Sequence, residues 1–198
     1  MGHAVNDDAL DVLFRKARSY RKWRPEPVTP QMLMAAYELM RWGPTTNNTC
    51  PARILFVMSP AAKARLKPHL NKGNVEQTML APATAIFAYD LRFYDQMPKL
   101  NPTNPAAKES WVQKSAAEIE EAAFRSGTLQ AGYFMLAARA IGLDCGPMSG
   151  FSNAGVDAEF FAGTTQKSNF LCNLGYGSDE GLRPRAPRLD FDEACKIL

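Results

Sequence analysis

Of the chain's 198 residues, 46% are apolar and 22% charged, enough for one sizeable core in a single domain, and no run approaches the roughly 18 to 20 apolar residues of a membrane span. Cys50, Cys145, Cys172 and Cys195 form no Cys-x-x-Cys pair and neither His3 nor His69 falls beside them, which excludes a zinc ribbon, disfavours a disulfide framework or a histidine-activated nucleophile, and fits a reducing, cytoplasmic setting. The net charge of +3 is too small for a typical nucleic-acid-binding module, and Asn6, Asp7 and Asp8 near the start argue against a secretion signal.

Leu10, Leu13, Phe14 and Ala17 recur at three-and-four spacing and predict a helix over 7–17. Six of the ten residues from Arg15 to Arg24 are basic, with no acid among them. Thr29 as N-cap and Pro30 in the first turn open a second helix, with Leu33, Ala36, Tyr37 and Met40 on one stripe and Gly43-Pro44 as its stop. Thr45-Thr46-Asn47-Asn48-Thr49 reads as loop, either a capping turn or a binding loop, before a strand at 53–58. Helices follow from Ser59-Pro60 to Leu66 and from Asn74 to Leu80, then a strand at 84–90. Pro98, Pro102 and Pro105 exclude a continuous element and make about 91–113 an irregular excursion outside the main core.

The longest helix spans about 115–141; its apolar second half, interrupted by Arg139, belongs in the core or in a subunit interface, and Gly142 ends it. The stretch 143–151 reads as a connection whose Gly146 and Gly150 admit a flat ligand close to the backbone. A helix at 156–161, a strand at 169–176, a second basic island (Arg183, Arg185, Arg188) and a short Asp190-capped helix complete the chain. There is no Gly-x-Gly-x-x-Gly and no Walker loop. Two arginine islands in a nearly balanced protein read either as a solvated surface or as a site for a compact dianion, which suits them better than a polyanion.

Taken in order, Ala17-Arg18-Ser19, Trp42-Gly43-Pro44-Thr45, Pro51-Ala52-Arg53, Gly73-Asn74, the block from Gly142 to Phe151, Phe160-Phe161-Ala162-Gly163-Thr164, Lys167-Ser168-Asn169 and Arg185-Ala186-Pro187-Arg188-Leu189 resemble the FMN-dependent nitroreductase family over nearly the whole length. The likeness is greatest to its malonic semialdehyde reductase branch. The resemblance implies an α+β fold, with a mainly antiparallel central sheet surrounded by helices, in an intertwined homodimer holding two FMN at the interface.

By the same resemblance, Arg18, Ser19, Arg21 and Arg185, with Arg183 and Arg188, hold the FMN phosphate. Pro44, Thr45, Thr46, Asn47 and Asn48 reach the flavin from the other subunit. Asn74 and Gln77 meet the pyrimidine edge, Pro147 and Met148 one ring face, and Ser149 and Gly150 the N5 and O4 side. NAD(P)H is the implied electron donor and a small carbonyl the implied acceptor, with nitro compounds, quinones or free flavin as the alternative. Ser149 stands where many members have an acid, and Ala17 where many have arginine. No side chain is assigned as a catalytic acid.

Overall fold

The computed structural model of the protein describes residues 2–198. Helix α1 (Asp7–Leu10) is capped by Asn6, whose Oδ1 accepts the Ala9 N–H at 2.9 Å. It passes into a π-helical turn, Asp11–Arg15, so the expected single helix to Ala17 is two short pieces. Helix α2 (Pro30–Met40) starts at its Thr29 cap and buries Leu33, Ala36 and Met40, whereas Tyr37 is exposed. Strand β1 (Ala52–Val57), α3 (Pro60–Leu66), α4 (Lys72–Leu80) and β2 (Ala83–Asp90) follow.

The segment expected to be irregular holds α5 (Met97–Leu100) and α6 (Ala107–Val112). Proline breaks it into short helices, as expected, yet it is not stripped of a core. Phe93, Met97, Ala107 and Trp111 pack with Tyr89 and Ala123, with the Phe93 and Trp111 rings edge to face at 5.0 Å. Helix α7 (Ala116–Ala140) opens with a reciprocal cap between Ser115 and Glu118 and ends before Gly142, whose φ of 86° suits a residue without Cβ.

The expected connection after Gly142 contains a strand, β3 (Asp144–Met148). Helix α8 (Asn153–Phe160) begins at its Ser152 cap, ahead of the apolar residues that announce it in the sequence. Strand β4 (Gln166–Gly175) and α9 (Phe191–Ala194) complete the chain. The four strands pair antiparallel in the order β1-β2-β4-β3, giving an α+β fold.

Alternation along the strands divides the core between the two faces of the sheet. Ala83, Ala85 and Phe87 of β2, with Cys172 and Leu174 of β4, meet α2 and α7; Ile86, Ala88, Leu171 and Met148 meet α3, α8 and Leu70. All four cysteines are free, and burial together with the neighbouring Cys145 thiol pushes Cys172 well above the ordinary thiol range.

The outer edge of β3 is covered by the basic segment that follows α1. Ser19 bridges to Cys145, the Tyr20 N–H donates to Cys145 O at 3.1 Å, and Trp23 pairs with Gly177. This strap comes so close that a Cβ on Gly146 would sit 2.4 Å from the Tyr20 carbonyl oxygen. A backbone atom cannot yield as a side-chain tip can. Gly146→Ala is therefore expected to lose about 1–3 kcal/mol of stability in urea denaturation, through a lifted strap and not through a changed core.

Candidate functional site

Three clefts meet where the strap crosses β3. One, of about 270 Å³, is lined by Ser19, Tyr20, Arg21, Asn74, Gln77 and the run Gly146-Pro147-Met148-Ser149-Gly150. A second, of about 350 Å³, lies between Arg18, Ser19, Arg21 and Lys22 on one side and 178–184, including Arg183, on the other. The third, also about 350 Å³, is lined by Phe14, Ala17, Arg18, Ser19, Arg139, Arg185, Ala186 and Arg188. Ser19 belongs to all three.

The arginines here differ from those elsewhere on the chain. Arg15, Arg24, Arg41, Arg53, Arg65, Arg92 and Arg125 each pair with a carboxylate. Among the described residues Arg18, Arg21, Arg139, Arg183, Arg185 and Arg188 have no carboxylate within 4.0 Å. Several are instead oriented by carbonyls. Arg185 donates to Arg15 O and Ala17 O, both at 2.8 Å, Arg18 donates to Arg183 O, and Arg139 donates to Leu13 O at 3.1 Å. These bonds fix direction without neutralising charge, which leaves a concentrated positive surface suited to a phosphate.

The cleft beside it has a defined polarity. Asn74 Nδ2 donates to Gly150 O at 2.8 Å, and because a carbonyl only accepts, Asn74 turns its Oδ1 toward Gln77. Gln77 Nε2 donates to that oxygen at 2.6 Å, so Gln77 presents a carbonyl oxygen that takes no hydrogen bond from the chain. Trp23 Nε1 donates to the Gln77 backbone carbonyl at 3.0 Å, and Lys63 holds the end of α4. Its buried ammonium donates to Thr78 O at 2.7 Å and to Ala81 O. Burial pulls Lys63 down to about 8, which leaves it charged at neutral pH.

On β3, backbone groups alternate between the partner strand and the free edge. Cys145 O faces outward to the Tyr20 N–H, which puts the Ser149 N–H, two alternations further on, at the same edge. Neither the Ser149 nor the Gly150 N–H finds an acceptor among the described residues. The two glycines act otherwise than the sequence suggests. The atom nearest a Cβ at Gly146 is Tyr20 O and that nearest a Cβ at Gly150 is Asn74 Nδ2, each at 2.4 Å, so the close approach is made by the protein itself.

The expected residues Arg18, Ser19, Arg21, Asn74, Gln77, Pro147, Met148, Ser149, Gly150, Arg183, Arg185 and Arg188 thus converge. Pro44, Thr45, Thr46, Asn47 and Asn48 do not join them in this chain. They precede β1, at the opposite side of the sheet from β3, where the Thr46 N–H donates to Ser126 Oγ at 3.3 Å and Asn48 Nδ2 to Leu100 O at 2.8 Å. Asn47, Asn48 and Cys50 have φ of 48°, 56° and 41°, three left-handed residues without glycine, interrupted by a right-handed Thr49. Tyr20 and Arg139 belong to the site and were not singled out for it by sequence; the one signal for Arg139 is a charge within an apolar helical half. His69 packs against Gly155 and lines none of the three clefts.

Known proteins share this architecture. The nitroreductase family profile matches residues 14–176. A relative from Leptothrix cholodnii, provisionally named an NADH dehydrogenase/NAD(P)H nitroreductase, is 50% identical over 198 residues, covering 100% of both chains. One from Stenotrophomonas maltophilia with the same provisional name is 52% identical over 197 residues, again covering 100% of both. A provisionally named nitroreductase from Exiguobacterium sibiricum, solved in complex with FMN, superposes with a TM-score of 0.87 at 20% identity over 100% of both chains. The chain therefore belongs to the nitroreductase family.

Proposed function

We propose that the protein is an FMN-dependent NAD(P)H oxidoreductase acting on small carbonyl compounds. The observation that carries this reading is the convergence of unneutralised arginines, two unclaimed backbone N–H groups and one unclaimed amide oxygen around Pro147 and Met148. FMN has a phosphate dianion, a flat ring and a pyrimidine edge that carries both acceptor atoms and an N–H, and the donor set matches each part. Arg18, Ser19, Arg183 and Arg185 would hold the phosphate, with Arg21 and Arg188 beside them. Gln77 and Asn74 would meet the pyrimidine edge, and Ser149 and Gly150 its acceptor side.

When bound, FMN supplies hydride transfer between a nicotinamide donor and an acceptor that use one site in turn. The chain's part is to hold and tune. Fixed N–H groups favour negative charge beside them without reorganising, as the Ser149 and Gly150 amides would do. Pro147 and Met148 present an apolar face. Arg21, which lines both the cleft and the neighbouring arginine surface without a carboxylate partner, is placed to pair a substrate carboxylate.

The sequence resemblance points to malonic semialdehyde, reduced to 3-hydroxypropanoate, as the acceptor. The names of the relatives favour a second reading with nitro compounds or quinones. A homodimer would complete the site. Phe124, Leu129, Gly132, Tyr133 and Leu136 line an open apolar groove of about 780 Å³ along α7, bordered by Glu121 and Arg125. Tyr133 of that groove packs on Gly43, beside the loop 44–48, so a second copy seated there would meet the loop.

Fluorescence titration of apoprotein should give FMN binding that falls about tenfold or more in Arg18→Ala and in Arg185→Ala, with riboflavin, which has no phosphate, unaffected. Equal losses for both ligands would refute the phosphate assignment. Initial rates with malonic semialdehyde, uncharged aldehydes, quinones and nitroaromatics should give parallel double-reciprocal lines, with Arg21→Gln raising KM for the semialdehyde alone. Fast quinone reduction without semialdehyde turnover would select the second reading. Leu129→Asp, at an exposed position, should shift light-scattering mass from dimer to monomer and lose FMN while the fold persists.

A further inference from the structure

A line of hydrogen bonds left out of the chemistry above runs from the interior of the sheet to the cleft. Thr84 of β2 lies directly across from Asn173 of β4 and donates its hydroxyl to Asn173 Oδ1 at 2.7 Å. Asn173 Nδ2 donates to Thr78 Oγ1 at 3.3 Å, and Thr78 donates to Met148 Sδ at 3.5 Å. Thr84, Asn173 and Thr78 are each 0% exposed. Thr84 donating to Oδ1 sets the direction of the line. Turning the Asn173 amide over would leave the Thr84 proton without an acceptor and free Thr78 to donate to Asn173 instead of to the sulfur.

A thioether is a weak acceptor on a side chain with three rotatable bonds, usually placed where adaptability is useful. Here three buried polar groups are ordered behind it. Apolar residues would fill that space without the burden of satisfying each polar atom. Met148 Sδ also lies 4.0 Å from Gln77 Nε2, so the sulfur connects this interior line to the Gln77–Asn74–Gly150 line facing the cleft.

We propose that Thr84, Asn173 and Thr78 are positioning residues: a one-way hydrogen-bond relay that locks the Met148 thioether in the cleft floor and so sets the affinity and reduction potential of the bound flavin. The inference rests on the cofactor reading above. The relay ends on the sulfur and its members touch no ligand, so it acts through Met148 alone. Its effect therefore reaches the flavin in the order Thr84, Asn173, Thr78, Met148, and breaking a link loosens the same sulfur, more so the nearer the link lies to it.

The experiment compares holoenzymes of the parent, Thr78→Val, Thr78→Ser, Thr84→Val and the double variant Thr78→Val/Thr84→Val for FMN affinity, visible absorption band and midpoint potential. Thr78→Val should bind FMN about fivefold more weakly and shift both band and potential. Thr78→Ser, which keeps the hydroxyl, should restore all three values. Thr84→Val should move them in the same direction by less, and the double variant should match Thr78→Val alone. Should Thr78→Val fail to fold, Met148→Leu, which keeps the volume and removes the acceptor, should reproduce the shifted potential. A parent without FMN overturns the cofactor reading. A parent that binds FMN overturns the relay alone if Thr78→Val, or Met148→Leu in its place, keeps the parental potential, or if the two valine substitutions act additively.

Discussion

The site depends on one backbone contact, the Tyr20 N–H on Cys145 O at 3.1 Å. Strand β3 is an edge strand, and an uncovered edge exposes a row of donors and acceptors to whatever can pair with them. Here the chain covers it with its own basic segment. Gly146 makes the approach possible, Trp23 packs over Gly146 and Gly175, and the Tyr20 ring lies over Gly177. Once the strap is seated, Ser19 and Arg21 share a cleft with Ser149 and Gly150, although about 130 residues separate them in sequence. The 183–188 tail then closes on the same point, because Arg185 donates to carbonyls at 15 and 17.

Leaving six guanidinium groups without carboxylates in one region disfavours the empty site, since like charges repel where water is partly excluded. Carbonyl contacts ease this by fixing four of the side chains against backbone oxygens. They also reduce the entropy lost when an anion arrives, because part of the geometry already exists before binding. The sites of paired arginines elsewhere show the contrast. Arg53 meets Asp90 at 2.9 Å and also donates to Cys50 O and Ala52 O, so its charge is already paired.

Elements announced by side-chain caps were legible in the sequence. Thr29-Pro30, Ser59-Pro60 and Ser115 with Glu118 start helices where expected, because a cap is a local signal whose partner lies three residues away. Strand β3 was hidden by Gly146 and Pro147, residues that ordinarily argue against a strand. Proline is tolerated there because its missing N–H would have faced the outer edge, where β4 needs no donor. The arginine islands were legible as a charge pattern and the resemblance supplied their grouping. The lines through Thr84, Asn173 and Thr78 and through Asn74 and Gln77 were not legible as networks, since each residue alone is an ordinary polar residue and its partner is set by strand register.

The loop 44–48 lines none of the three clefts of its own chain. Asn47 and Asn48, and Cys50 just beyond the loop, hold left-handed backbone without glycine, which costs conformational free energy that a loop with nothing to hold it would relax. The loop is anchored instead, at Ser126 of α7 and at Leu100 of α5, and stands next to the apolar groove that α7 leaves open. An exposed apolar groove of that kind marks a surface on which something docks. In the proposed dimer a second copy would cover it, and two-fold symmetry would set both loops at the shared interface. The polar loop and the apolar groove, already joined within one chain by Thr46 on Ser126 and Tyr133 on Gly43, would then belong to a single interface.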